Sequence, residues 1–326
     1  MILKRLGRML LVAFGVVFIT FSLIHLVPGN PALSILGDRA TPASVAALQR
    51  ELHLNESLPR QFWTFLTDVL HGNLGTSLIQ NQPVTSLVIH PLLVTLWLIA
   101  VAVVMSVLVG VPVGLLGAPA GRRWLELGLS TGVILCLATP PFVIGFVLLL
   151  LFGVTLHLAP AGGWGTNWIG DLSYIWLPAV ALSGYLVPVI ARVVRQRAGD
   201  IASHGFIEAA VARGLRPARV TIRHILPNAL LPLITVIGLN IGALVSGAVI
   251  IEIVFNLPGI GTTLVLAVLQ RDYPVVQGTT LLIGVIVVVV NAFTDLVYLV
   301  VDPRTRGKAR RARPALAAAG GDDGDA

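Results

Sequence analysis

Residues that could do chemistry are sparse in this sequence, and their spacing excludes more than it allows. A phosphate-binding P-loop needs Gly-x-x-x-x-Gly-Lys-Ser/Thr, with a lysine that reaches the β/γ phosphates. The chain has two lysines, Lys4 and Lys308, and neither stands in that context. Ala161-Gly162-Gly163-Trp164-Gly165 has no evident helix start behind it and reads as a loop, not a phosphate cradle. The seven histidines are scattered without short ligand spacing, so neither a metal site nor a cofactor is expected. The single cysteine, Cys136, excludes an intrachain disulfide. What remains is polar groups inside apolar runs, foremost Glu252 and Asn240. A carboxylate in an apolar segment is a functional candidate by default, because burying it unpaired is expensive. Glu252 could face a translocation path and attract a cationic group, or sit solvated at an interface, or cap the Pro258-Gly259 turn. Asn240 is a second pathway candidate. It stands beside Gly238, Gly242 and Ser246, a stripe of small residues that lets helix backbones approach closely. Asn291, Asp295, Tyr298 and Asp302 recur at helical spacing. A structural ion pair of Asp295 with Arg192 or Arg195 is the plain reading, and a proton relay the other.

The elements that must hold these groups are set by composition. Of 326 residues, 56% are hydrophobic and 11% charged, where a soluble domain carries about 25% charged residues. That fraction cannot cover a soluble globule of this size, so a water-soluble enzyme is excluded and a polytopic membrane protein remains. A spanning helix needs about 20 mostly apolar residues, and six runs qualify: residues 8–27, 92–117, 129–157, 174–194, 233–255 and 280–301. None alternates with period 2, which argues against a β-barrel. The third run is too long for one straight span and carries Pro140-Pro141, so a kink, or a shorter helix on either side, is expected there. The first lacks a small-x-small cleavage site and reads as an uncleaved helix. With the N-terminus placed inside, only Arg39, Arg50, Arg60 and Arg271 of the 22 basic residues fall outside. This asymmetry puts both termini in the cytoplasm and explains the net charge of +7 without nucleic acid.

Two loops are long. The outer one, residues 28–91, contains a helix from Thr41-Pro42 to about Leu52, with Thr41 as cap, and a second over residues 58–70 with Phe62, Trp63, Phe65 and Leu66 on one side. The inner loop, residues 195–232, reads as a helix over 201–213, a turn at Gly214 and a second helix over 216–226 stopped by Pro227 and Pro232. Phe206, Ala209, Ala210 and Leu215 form a small apolar face that the loop is not expected to bury, flanked by Glu208 and Arg213. Such a knob suits insertion into a groove of a soluble partner. An amphipathic helix lying on lipid headgroups fits the same residues. The tail, residues 306–326, has a composition that favours disorder.

Glu208-Ala209-Ala210, three residues, Gly214, then Ile225-x-Pro227 resembles the EAA loop of ABC-importer permeases. His25-Leu26-Val27-Pro28-Gly29-Asn30-Pro31, Gly72-Asn73-Leu74-Gly75-Thr76-Ser77, Pro140-Pro141-Phe142, Glu252-Ile253-Val254-Phe255 with Pro258-Gly259-Ile260-Gly261, Arg271-Asp272-Tyr273-Pro274 and Asp302-Pro303-Arg304 are similar to that family's dipeptide/oligopeptide/nickel branch. Gly205 and Val211 depart from the acidic residue and basic-rich run that branch members often carry in this helix. The resemblance implies an all-α fold, the type I importer permease with six transmembrane helices. It divides the chain into 1–88 (first span and outer loop), 89–305 (five-helix core with the coupling loop) and 306–326 (tail). It implies that Phe206, Glu208, Ala209, Ala210, Gly214 and Leu215 dock into an ATPase subunit. The partners it implies are a second homologous permease, two ATPase subunits that hydrolyse the ATP and an extracytoplasmic substrate-binding protein, all at a bacterial cytoplasmic membrane. The implied cargo is a di- or oligopeptide, with nickel or another solute as alternatives. A stand-alone secondary transporter or channel is the rival from a different class, but it should show internal repeats, and no convincing one is found.

Overall fold

A computed structural model describes residues 2–25, 33, 40–51, 55–117, 123–165 and 168–301. Apart from one isolated bridge, Thr76 to Pro83, the described residues are helices, turns and loops. The tail over 306–326, the 26–31 exit motif and the Asp302-Pro303-Arg304 ending lie outside the described residues, as do the side chains of Asp295 and Tyr298.

The outer and first elements follow their local chemistry. Helix α1 spans Ile2–His25. Helix α2, Pro42–Glu51, starts where a capping residue and Pro42 coincide. Thr41 Oγ1 accepts the Ser44 backbone N–H at 3.1 Å, and Ser44 Oγ in turn accepts the Thr41 N–H at 2.9 Å. Helix α3, Leu58–Leu70, carries Pro in its first turn. Its Phe62 packs edge-on against Phe14, Phe18 and Phe21 of α1, while Trp63 points away and is exposed.

The core is built by long helices. Helix α4 is Val84–Leu116, and it runs through Pro91 and Pro112. It begins eight residues before the apolar run does. Helix α5 is Arg123–Ala138 and helix α6 is Pro141–Leu148, which continues into a π-helical turn over Leu149–Thr155. The third apolar run is therefore two helices, bent at the break by 103°. The cause is local: Pro140 is extended at φ −58° and ψ 140°, and Pro141 disfavours helical geometry at the residue before it. Helix α7, Trp168–Ala202, holds 35 residues without a break despite Pro178 and Pro188. It begins close behind the Gly-rich loop, so the expectation that no helix starts there is corrected. The polar first turn with Asp171 hides that start from a count of apolar residues.

Helix α8 is Gly205–Ala212 and helix α9 is Pro217–Val220. A second π-helical turn, Thr221–Ile225, leads directly into helix α10, Leu226–Val254. Pro227 was expected to stop a helix, yet it opens one. In a first turn its missing N–H is no loss. Helix α11, Ile260–Gln270, was not expected from the pattern, and helix α12 is Tyr273–Val301.

Among the described residues, segments of α4, α7, α10 and α12 are each long and apolar enough to cross a membrane, and the bent pair passes the same test together. Helix α1 has 24 residues, about 36 Å at ~1.5 Å per residue, against a hydrocarbon core of about 30 Å. The buried core lies where α4, α6, α7 and α10 meet, around Leu98, Leu182, Leu186, Ile190, Leu244 and Ile251. The pairing of α4 with α7 is intimate. A Cβ on Gly110 would stand 2.9 Å from Ile190, and one on Gly114 would stand 2.6 Å from the Ala191 carbonyl. Gly238 of the small-residue stripe likewise leaves no room for a Cβ against Thr294, so that stripe serves packing of α10 on α12 within the chain.

Candidate functional site

The knob formed by α8 and α9 is a compact device. Helix α8 buries Ile207 and Ala210 against Val220, with Ile201, Leu215 and Ile225 packed around them. It ends in a left-handed residue, Gly214 at φ +79°. The Gly214 N–H donates to the Val211 carbonyl at 2.9 Å and the Leu215 N–H to the Ala210 carbonyl at 3.3 Å. This pair of bonds is a Schellman turn, and the Leu215–Ala210 apolar contact that goes with it is also present. The six residues expected to dock into a partner are thereby divided. Phe206, Glu208, Ala209 and Gly214 are exposed, Leu215 is half-buried and Ala210 is buried. The loop does bury part of its apolar surface, because α9 folds back on α8. What stays outward is Phe206 and Val211, each more than half exposed, with Glu208 in the first turn, where a negative charge suits the helix dipole.

Around α11, away from this knob, two buried acids organise a platform of loop and helix. Glu252, at the outer end of α10, is fully buried. One carboxylate oxygen accepts the Thr95 hydroxyl of α4 at 2.5 Å. The other accepts the backbone N–H groups of Gly261 at 2.8 Å and Thr262 at 3.2 Å, the otherwise unpaired donors at the start of α11. Thr95 Oγ1 also accepts the Ile260 N–H at 2.9 Å. A Cβ on Gly259 would collide with this carboxylate and one on Gly261 would stand 2.6 Å from the Val249 Cα, which explains the two glycines of the Pro258-Gly259-Ile260-Gly261 motif. Asp272, after α11, is 2% exposed. It accepts the Ser77 hydroxyl at 2.5 Å and the Leu78 N–H at 3.2 Å. The tight loop over residues 75–84 is thus pinned to the corner between α11 and α12, over an apolar cluster of Val84, Val88, Ala267 and Val275.

Asn240 joins two helices. The Tyr185 hydroxyl of α7 donates to Asn240 Oδ1 at 2.9 Å, and Asn240 Nδ2 donates to the Val236 carbonyl at 2.7 Å. Arg195 donates to Ser130 Oγ at 2.6 Å. Sequence reasoning missed Thr95 and gave Asp272 no role beyond its place in the Arg271-Asp272-Tyr273-Pro274 motif. Their partners lie 157 and 195 positions away, so no local pattern shows the pairing.

Comparison with known proteins decides what these two regions belong to. Residues 110–307 match the family described as binding-protein-dependent transport system inner membrane component, and residues 1–99 match its N-terminal component. The chain belongs to this family. It is the permease subunit of an ABC importer, a multi-pass inner-membrane transport protein and not an enzyme, and it works with an ATPase and a substrate-binding protein. The permease is 35% identical to the glutathione transport system permease protein GsiC of Pectobacterium atrosepticum, over 94% of this chain and 98% of that protein. It is 36% identical to the probable peptide ABC transporter permease protein y4tP of Sinorhizobium fredii, with the same two shares covered. The dipeptide transport system permease protein DppB of Escherichia coli is 34% identical, again over 94% of this chain and 98% of that protein. Its fold is also that of a chain in the inward-facing MetNI methionine ABC transporter, with a TM-score of 0.56 and 21% identity over 66% of this chain and 96% of that chain.

Proposed function

We propose that this permease carries di- or oligopeptides inward across the cytoplasmic membrane, driven by ATPase subunits that grip the α8 knob. The observation that carries the coupling role is the outward edge of Phe206, Glu208 and Ala209, set on a buried apolar base and closed by the Gly214 turn. An edge of this kind, on a base that the loop buries itself, suits a groove in a soluble partner better than a lipid surface. Ala210 and Leu215 take part from beneath, by holding the edge in shape. Peptide cargo is supported by the full-length relatives named for peptides and dipeptides. Uptake of labelled dipeptides, oligopeptides and nickel by the assembled transporter in proteoliposomes tests it. ATP-dependent accumulation of a peptide is the expected result, and accumulation of nickel alone would overturn it.

The complex would hold a second, homologous permease and two ATPase subunits around a central path, with the external platform receiving the binding protein. The division at 88/89 and 305/306 belongs to this reading; the two family matches end at residue 99 and begin at residue 110. Asn240 and Glu252 act in this reading through the helices they join. Six spans with both termini cytoplasmic follow from the basic-residue asymmetry. Reporters after Ala326 and near Arg122 should read cytoplasmic, and one near Asn55 external. A cytoplasmic signal at Asn55 would sink the orientation.

A further inference from the structure

The 90–100 segment of α4 and the start of α7 border an open pocket of about 580 Å³ that none of the roles above uses. His90, Leu93, Trp97 and Ala100 of α4 form one wall, Trp164 of the Gly-rich loop closes a side, and Asp171 in the first turn of α7 is the one acidic group in the lining. Asp171 Oδ1 is buried and has no hydrogen-bond partner among the described residues. The loop backbone presses on it: a Cβ on Gly165 would stand 2.8 Å from Oδ1. Oδ1 is sealed beneath the loop, so what the pocket offers a ligand is the charge of the carboxylate, which favours a cation there. Indole faces attract the same charge through the ring quadrupole. An ammonium meets both demands, since it brings three N–H donors and a compact positive charge, whereas an anion meets neither. The volume falls within the range of about 300–1,000 Å³ typical of small-ligand sites.

We propose that this cavity is a primary-ammonium site at the external end of the permease, and that the ammonium is the amino terminus of an incoming peptide. The choice of peptide rests on the function proposed above. A phosphatidylethanolamine headgroup offers the same chemistry, so the experiment must separate the two. The full chain is placed in nanodiscs of phosphatidylglycerol and titrated with dialanine and with N-acetyl-dialanine, reading tryptophan fluorescence. Dialanine should change the emission, and the acetylated peptide should bind at least tenfold more weakly. Asp171→Asn should weaken dialanine binding at least tenfold with an unchanged unfolding temperature, and Trp97→Leu should shrink both the affinity and the fluorescence change. If phosphatidylethanolamine added to the nanodiscs abolishes the dialanine response, and native mass spectrometry shows that lipid retained by the wild type but not by Asp171→Asn, the ammonium site stands with lipid as its occupant. Equal affinity for the two peptides, or wild-type binding by Asp171→Asn, overturns the site. Peptide uptake by the whole transporter without any dialanine or lipid response removes this site and leaves the transport function standing. An intact response without peptide uptake does the reverse.

Discussion

The platform around Glu252 and Asp272 and the knob of α8 are closed by the same backbone turn, made with different residues. At the end of α11 the left-handed position is Arg271 at φ +59°, and the Asp272 N–H donates to the Ala267 carbonyl at 2.9 Å. At the end of α8 it is Gly214, with the matching bond from Leu215 to Ala210. A side chain at positive φ costs about 1–2 kcal/mol. The platform sustains that cost because buried acids on both sides of the turn overdetermine its geometry, Glu252 at one end of α11 and Asp272 at the other. The knob has no such anchor, only an apolar triad and a glycine. One region is thus fixed by polar groups that satisfy each other in the interior, and the other by a turn that leaves its outer edge free for a partner.

The largest effect should come from the platform's inner anchor. Glu252→Ala leaves the Gly261 and Thr262 N–H groups and the Thr95 hydroxyl without an acceptor and opens a cavity, for a loss of about 3–5 kcal/mol. A lower unfolding temperature in detergent and poor membrane yield are the expected readings. A stable, abundant Glu252→Ala protein would break the contrast at its root. Gly214→Val comes next, at about 1–3 kcal/mol of retained strain. Because that strain is local, insertion should survive while pull-down of ATPase subunits and uptake both fall. Full association by Gly214→Val would remove the coupling role. Asp272→Asn keeps one acceptor and should cost about 1–2 kcal/mol. Proteolysis of the loop at 75–84 should then rise, with weaker capture of the binding protein and unchanged ATPase pull-down. The smallest effect on folding is expected for Glu208→Lys, within about 0.5 kcal/mol, because the side chain is exposed. Its defect should lie in ATPase association and should vary with ionic strength. A salt-independent defect would mean that Glu208 is not an exposed contact.

What could be read from the sequence, and what could not, follows the range of the interactions. The cap of α2 at Thr41 and the turn at Gly214 were legible because each depends on residues within one helical turn. Pro140-Pro141 located the break between α5 and α6, because the extended backbone at Pro140 that makes it is local. Helix α11 escaped notice because its start is capped by a carboxylate from α10 and a hydroxyl from α4, so its own sequence lacks a start signal. Glu252 could be singled out as important from its position, and capping was one reading of it, but Thr95 could not be paired with it. The knob could be read as a helix, a glycine turn and an apolar face, while the burial of Ala210 depends on α9 folding back.

The unbroken length of α7 has a mechanical meaning. Its 35 residues make a rod of about 52 Å, with Asp171 near one end and the knob attached to the other. The glycines of α4 press on it at Ile190 and Ala191, about 33 Å from the outer end and about 18 Å from the inner end at ~1.5 Å per residue. A rod resting on an off-centre fulcrum is a geared lever. If α7 pivots there as one rigid body, a tilt of about 5° moves the knob end by about 1.6 Å and the far end by about 3 Å, nearly twice as far, for a rod with a rise of ~1.5 Å per residue. A short stroke at the knob would then return a longer one at the end that carries Asp171, with the ratio set by where two glycines fall in α4.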